Sequence, residues 1–172
     1  MNFKKILMVI FMILGLGLAA GCGGSAASPT PAKSTAQQQA SLSGKKVLIA
    51  YFSWSGNTKA AAEKIQGLTG GDIYRIEAAD PYPGEYDATT DRAKQEQKDN
   101  ARPAIAGKAD LSKYDVIMVG YPIWWYQEPM IIDTFLESGD FSGKTIVPFC
   151  TSGGSSIDKS IEHMKTVVKG AS

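Results

Sequence analysis

The chain has 172 residues, with 18 basic and 17 acidic side chains and a formal net charge of +1. Three of the basic residues, Lys4, Lys5 and Lys33, precede position 43, so the rest of the chain holds 15 basic and 17 acidic residues and nets −2. About 130 residues remain from that position, which is enough for one domain with a core and too few for two. A near-neutral domain gives no support for nucleic-acid binding. The two cysteines, Cys22 and Cys150, indicate neither a disulfide framework nor a metal site.

The first 21 residues have the layout of a secretory signal peptide: two lysines, an apolar run over 6–18 and small residues at 19–21. The apolar run is shorter than the about 20 residues that a membrane-spanning helix needs. Cys22 follows directly, and this arrangement resembles the lipobox of bacterial lipoproteins, in which cleavage exposes the cysteine whose thiol receives a lipid. We therefore predict an exported domain outside the cytoplasm, anchored to the membrane through Cys22. The alternative is an ordinary signal peptide or an uncleaved anchor, with Cys22 incidental.

Residues 22–43 are predicted to form a flexible tether between the lipid and the domain. The stretch is rich in Ser, Ala, Pro and Gln, and Leu42 is its only large aliphatic residue. It cannot bury enough apolar surface to fold. The folded domain is therefore predicted over 44–172.

Strands and helices are predicted to alternate along this domain. Apolar runs and helical spacing predict, in chain order, a strand at 47–52, a helix at 58–68, a strand at 72–78, an exposed helix at 87–100, a strand at 114–120, a helix at 129–137, a strand at 145–150 and a helix at 156–168. Such alternation predicts an α/β fold, an open parallel sheet with helices on both faces. Ligands of these sheets bind beyond the carboxyl ends of the strands, so the loops after the first, third and fourth strands form the candidate site.

The first of these loops leads into a helix and reads Ser53-Trp54-Ser55-Gly56-Asn57-Thr58. Hydroxyls, an amide and a glycine meet unpaired backbone N–H groups at the helix N-terminus, a place that favours a phosphate monoester. The loop contains no Lys or Arg, so neutral donors would meet the charge. It matches neither GxxxxGK[ST] nor GxGxxG. The alternative is a helix start capped by Ser and Asn.

The second loop, 121–129, places Trp124 beside Trp125 with a tyrosine on either side of this segment. Adjacent side chains on an extended loop point in opposite directions, so both indoles cannot enter one core. Flat aromatic faces favour stacking on a planar ring system. The alternative is that one Trp covers the core while the other contacts a partner.

The third loop reads Thr151-Ser152-Gly153-Gly154-Ser155. Its two glycines allow the backbone to approach a ligand closely, and its N–H groups could bond a polar ring edge. The alternative is a flexible surface turn. Three such loops at one edge of one sheet are stronger evidence for a ligand than any of them alone.

The chain resembles the flavodoxin superfamily, specifically a bacterial flavodoxin-like branch, in the segments VLIAYFSWSGNTKAAAEKI, DPYPGEY, YDVIMVGYPIWWYQEPM with TFLE, and GKTIVPFCTSGGSS. The resemblance implies a five-stranded parallel sheet and non-covalent FMN at the strand ends. It implies that the FMN phosphate is held by Ser53, Ser55, Asn57 and Thr58, with the backbone of Trp54 and Gly56. The isoalloxazine ring would lie against Pro122, Ile123, Trp124 and Trp125, and its pyrimidine side against Thr151, Ser152, Gly153 and Gly154.

The sequence departs from this family in two ways. Flavodoxin chains continue into a fifth strand and a closing helix, whereas this sequence ends just after the fourth predicted helix. We therefore expect the domain to be C-terminally incomplete. Electron-carrier flavodoxins are also strongly acidic, and this domain is nearly neutral.

We predict no catalytic side chain and no metal ligand, so a bound flavin would carry the chemistry. His163, the single histidine, lies beyond the binding edge and is expected at a solvated or half-buried surface position. Cys150 ends an apolar strand and is expected to pack as a small hydrophobe.

The leading hypothesis is an FMN-dependent redox lipoprotein that carries out electron transfer or reduces a small acceptor such as a quinone through its bound FMN, the latter as an NAD(P)H-dependent quinone or flavin reductase would. The alternatives are a one-electron carrier between partner proteins and a flavin-free interaction module. The 121–129 loop contains no glycine, and positive φ costs more for residues that have a Cβ. We therefore expect its peptides to resist rotation, which favours two-electron transfer over one-electron shuttling.

Overall fold

The computed structural model describes Leu42, residues 44–168 and Gly170. Its elements, in chain order, are β1 (Val47–Tyr51), α1 (Asn57–Thr69), β2 (Asp72–Arg75), α2 (Tyr86–Lys98), β3 (Val116–Pro122), α3 (Met130–Ser138), β4 (Thr145–Thr151) and α4 (Asp158–Val167). The predicted signal peptide, the predicted lipidation of Cys22 and the predicted tether apart from Leu42 lie outside the described residues. No helix among the described residues is long and apolar enough to cross a bilayer.

The four strands form one parallel sheet in the order β2-β1-β3-β4. Strand β1 is central, and all five of its residues are buried. Alternate residues of β1 point to opposite faces: Val47, Ile49 and Tyr51 pack with α1, whereas Leu48 and Ala50 belong to the cluster that includes α3 and α4. A strand covered on both faces needs an unbroken apolar run. The predicted α/β fold, with an open parallel sheet and helices on both faces, is confirmed.

Strand β2 is shorter than predicted. The chain leaves the sheet after Ile76, whose N–H donates to the Tyr51 carbonyl. Ala78 then forms an antiparallel bridge with Ile105, and the Ala79 N–H donates to the Ala104 carbonyl. The predicted strand 72–78 is therefore wrong beyond residue 75, because its last residues pair with a segment that the sequence pattern does not mark as a strand.

Strand β3 begins and ends two residues later than predicted. Its last two residues, Tyr121 and Pro122, pair with Cys150 and Thr151 of β4. Phe149 of β4 lies over Gly120, where a Cβ would collide with its ring. This close approach explains a glycine in a buried strand. Cys150 is partly buried and has a free thiol whose pKa is raised by burial.

The described residues contain four strands, whereas the resemblance implied five. All seven residues of β4 are partly exposed. Within the described part of the chain, β3 is the only strand that pairs with β4.

Candidate cofactor site

The loops after β1, β3 and β4 meet at the carboxyl edge of the sheet. The Phe52 N–H donates to the Gly120 carbonyl and the Ile123 N–H donates to the Thr151 carbonyl, each at 2.9 Å. The hydroxyls of Thr58 and Thr151 lie 2.8 Å apart and connect the first turn of α1 to the end of β4. The three loops predicted to converge are therefore connected by hydrogen bonds.

Of the polar side chains in the first loop, some are buried and hold the loop in place, and others are exposed to solvent. Ser53 and Thr58 are buried, and the Ser53 hydroxyl accepts the Gly56 N–H at 3.1 Å. Ser55 and Asn57 are exposed, and the Asn57 amide donates to the Ser55 oxygen at 3.2 Å. Two of the four predicted phosphate side chains thus shape the loop, and two face solvent.

Helix α1 begins without a side-chain cap. The residue before it, Gly56, has φ 91°, a conformation that favours glycine, and a Cβ placed there would meet nothing within 4 Å. The first N–H groups of a helix lack intrahelical acceptors, and the helix dipole favours an anion beside them. This end of α1 is therefore an accessible set of neutral donors.

The second loop makes a tight turn in which Trp124 and Gln127 exchange backbone hydrogen bonds at 2.9 and 3.2 Å. The two central residues, Trp125 and Tyr126, have φ values of 49° and 73°. Two residues that have a Cβ therefore hold positive φ in this loop, whereas the expected resistance of its peptides to rotation stays a prediction. The turn is held from outside, because the Gln97 amide donates to the Trp124 carbonyl at 2.8 Å.

The two adjacent indoles have different surroundings. Trp124 packs against the core, with its ring edge-on to Phe52 and Tyr82 at centroid distances of 5.5 and 5.3 Å. The Trp125 indole N–H donates to the Thr90 carbonyl on α2, and 44% of its surface remains exposed. One indole therefore supports the site from the core, while the other lies at the surface.

The third loop stays accessible. Ser152, Gly153 and Gly154 are exposed, and the Gly154 N–H donates to the Ser152 hydroxyl at 3.0 Å. A Cβ placed on either glycine would meet nothing within 4 Å. The backbone of this loop is open to a ligand edge.

A fourth segment, the connection between β2 and α2, also shapes the site, although its residue pattern predicted no role for it. The Pro83 carbonyl accepts the Trp54 indole N–H at 2.8 Å and the Thr89 hydroxyl at 2.7 Å. Tyr86 at the start of α2 is 69% exposed and lies 6.4 Å from the Trp54 ring. The signal was present in DPYPGEY, which carries the resemblance, but no residue pattern showed that its carbonyl would orient Trp54.

These segments line an open cleft of about 260 Å³. Its lining includes the predicted site residues Trp54, Ile123, Trp124 and Trp125. Tyr86, Thr89, Thr90 and Ala93 of α2 complete one wall, together with Tyr126 and Ser155. Helix α2 was predicted only as an exposed helix, yet one side of it forms part of the cleft.

A buried polar cluster lies between the second loop and α4. Glu128 is fully buried and accepts the Ser160 hydroxyl, which also lies 2.8 Å from the Tyr121 hydroxyl. His163 Nδ1 lies 2.8 Å from Glu128 Oε1 and 3.7 Å from Asp133 Oδ2. The side chain of His163 is 30% exposed, so it is half-buried, but its two carboxylate neighbours were not predicted.

Residues 46–172 match the flavodoxin family model, and the chain belongs to that family. It is 29% identical over 136 residues to the minor allergen Alt a 7 of Alternaria alternata, covering 72% of this chain. The match spans 65% of the allergen's length, which is less than two thirds.

Two solved structures extend the comparison. A protein from Bacteroides eggerthii described as a flavoprotein is 44% identical, with a TM-score of 0.69 over 74% of this chain and 83% of the other. A flavoprotein from Lactobacillus acidophilus in complex with FMN is 28% identical, with a TM-score of 0.67 over 74% and 88%. Family membership and this FMN complex together support FMN as the cofactor.

The buried cluster makes stability depend on pH. Burial, together with the negative charge of Glu128, raises the pKa of Asp133 to about 7. Between about pH 4 and pH 7 the native state then holds a proton that the unfolded chain has lost, so this group's contribution to the free energy of unfolding falls as pH rises. Asp133→Asn should remove that fall, so the variant should keep stability that wild type loses between pH 5 and pH 8.

Urea unfolding at pH 5 and pH 8 gives the free energy of unfolding of wild type and variant at each pH. A chelator is present so that bound metal ions do not contribute. Asp91→Asn removes an exposed carboxyl on α2 and serves as the control, which should follow the wild-type pH dependence. An Asp133→Asn protein with the wild-type pH dependence would contradict the assignment.

Proposed function

We propose that the domain binds FMN non-covalently at the carboxyl edge of the sheet and uses it to reduce a small acceptor such as a quinone. The observation that carries the proposal is the position of two features at one sheet edge. An uncapped helix start with exposed neutral donors lies beside a cleft that contains all three tryptophans of the chain.

The phosphate of FMN fits the start of α1. Ser55 and Asn57 are exposed there, and Gly56 leaves the backbone open to close approach. The Ser55 oxygen already accepts from the Asn57 amide, so its hydroxyl proton is available to a phosphate oxygen. Ser53 and Thr58 would act indirectly, by holding the loop and the first turn of α1 in place.

The ring of FMN fits the aromatic cleft. Trp54 is oriented by the Pro83 carbonyl and Trp124 by its contacts with the core. Pro122 precedes this wall. The exposed backbone of Ser152, Gly153 and Gly154, next to the partly buried Thr151, would bond the pyrimidine edge. When bound, FMN supplies the oxidation–reduction chemistry, and the protein supplies binding and orientation.

Ser55→Ala tests the phosphate assignment. A hydrogen bond to a charged group contributes about 1.5–3 kcal/mol, so the variant should bind FMN roughly tenfold or more weakly, with riboflavin affinity unchanged. Calorimetric titration of both flavins gives the two affinities. Ser112→Ala, before β3 at the opposite edge of the sheet, is the control and should bind both flavins as wild type does. Equal losses for FMN and riboflavin in Ser55→Ala would rule out this phosphate site.

A small planar acceptor fits the mouth of the cleft. Tyr86 and Tyr126 are 69% and 61% exposed, and Trp125 lies between α2 and the solvent. Lys159 lies 5.2 Å from the centroid of the Tyr126 ring. Flat aromatic faces of this kind can hold a quinone ring by stacking.

Tyr126→Ala tests the acceptor class. Stopped-flow reoxidation of the reduced holoprotein should be faster with a soluble benzoquinone than with a one-electron acceptor protein such as cytochrome c. The variant should lose several-fold in rate with the quinone, because one stacking face is removed. Leu68→Ala, another exposed apolar residue, lies at the far end of α1 and should leave the rate unchanged. Faster oxidation by cytochrome c than by the quinone would favour the carrier function instead.

We further propose that the chain is exported and held at the membrane by a lipid on Cys22, with the domain outside the cytoplasm. The support is the order of charged start, apolar run, small residues and cysteine in the sequence. The residues between Cys22 and β1 would join the lipid to the domain.

Cys22→Ser should release the protein from the membrane fraction or leave the precursor at its unprocessed mass, because a serine cannot receive the thioether-linked lipid. Cell fractionation and mass spectrometry give the two readouts. Cys150→Ser is the matched control and should be processed and retained normally. Normal processing and retention of Cys22→Ser would disprove the lipid anchor.

A further inference from the structure

The cluster behind the second loop combines two carboxylates and one imidazole. Glu128 precedes α3, Asp133 lies in α3 and His163 lies in α4. Each residue offers one ligand atom, and these atoms all lie within 4.8 Å of one another. Donor atoms around a tetrahedral ion with bonds of about 2.1 Å are about 3.4 Å apart. Small side-chain rotations would therefore bring the three donors to coordination distance.

Asp133 is the residue that needs a partner. Its side chain is fully buried, and neither of its oxygens accepts a hydrogen bond from a donor among the described residues. The neighbouring Glu128 carboxyl can hydrogen-bond to it only when one of the two groups is protonated. The nearest guanidinium, that of Arg102, is 3.8 Å away and makes two hydrogen bonds to Glu137 at 2.7 and 2.8 Å. A buried carboxyl group without hydrogen bonds is costly, and such groups in native proteins pair with another group or coordinate a metal.

We propose that Glu128, Asp133 and His163 bind one divalent transition-metal ion of the zinc type. Imidazole and carboxylate together suit Zn²⁺, which takes four ligands. Ca²⁺ requires six to eight oxygen ligands, and Mg²⁺ keeps several waters in octahedral geometry, which this buried set does not accommodate. A dication would balance both carboxylates. Metal binding would replace the hydrogen bond between His163 Nδ1 and Glu128, and the proton between them would be released so that the Nδ1 lone pair faces the ion.

An entry route lies beside the imidazole. His163 and Arg102 line a cavity of about 770 Å³, formed by the ends of α3 and α4 and the segment that precedes β4. The exposed part of His163 makes it the residue through which an ion and a fourth ligand, a water molecule, would reach the buried carboxylates. Trp54, Trp124 and Trp125, the tryptophans of the flavin cleft, do not line this cavity. The metal proposal is therefore independent of the flavin proposal.

Titration of the full-length, untagged chain with Zn²⁺ tests the site. Calorimetry and elemental analysis after dialysis should both give one equivalent of zinc per chain. Asp133→Asn and His163→Gln should each lower the affinity at least tenfold, since each removes a ligand. Zinc should raise the thermal midpoint of wild type but not of these variants. Midpoints measured with chelator show that the variants are folded.

Two controls make the result specific. Asp140→Asn changes an exposed carboxyl that lines the same cavity and should leave the zinc affinity unchanged. Thiols also bind zinc, so the double variant Cys22→Ser/Cys150→Ser serves as the second control. It should still bind one equivalent of zinc per chain. No saturable zinc uptake, uptake that persists in Asp133→Asn, or preferential binding of Ca²⁺ or Mg²⁺ would each overturn the proposal.

Discussion

The parallel pairing of β1 with β3 is the constraint on which the candidate site depends. It brings Tyr51 beside Gly120, so the loops that follow the two strands leave the sheet at the same level. The hydrogen bond from Phe52 to Gly120 extends this pairing into the first loop. A shift of one residue would turn the inward side chains of β1 to the other face and separate the helix start from the aromatic loop.

Trp124 and Trp125 belong to one tight turn, yet their side chains lie in different surroundings. Trp124 is held against the core, whereas Trp125 extends over α2 toward solvent. The turn that separates them places Trp125 and Tyr126 at positive φ, which costs on the order of 1–2 kcal/mol per residue that has a Cβ. Hydrogen bonds from Gln97 to the backbone and from the Trp125 indole to α2 stabilise it. Backbone strain of this kind is typical of active sites and ligand-binding positions.

Much of the fold could be predicted from the sequence because its signals are local. The buried runs of β1 and β3 and the helical spacing of α1 and α3 are visible within about ten residues. The end of β2 was not predictable in this way, because Ala78 pairs with Ile105. The role of α2 as a cleft wall depends equally on contacts with distant segments, such as the hydrogen bond between Trp125 and Thr90.

The same distinction between local sequence signals and long-range contacts applies to the candidate site. The three loops were found because each is unusual by itself, but the division of labour within the first loop depends on which hydroxyls face inward. The pairing of His163 with Glu128 spans 35 residues, and Asp133 looks from sequence like an ordinary polar position on a helix. Only packing reveals that a carboxyl at that position is enclosed.

The arrangement of the aromatic residues has a spectroscopic consequence. The chain has three tryptophans, and all three line the same cleft. Its intrinsic tryptophan emission therefore originates entirely from this edge of the sheet. The emission reports on the packing of the cleft and on any planar chromophore within it. Events at the opposite edge of the sheet should change this emission very little.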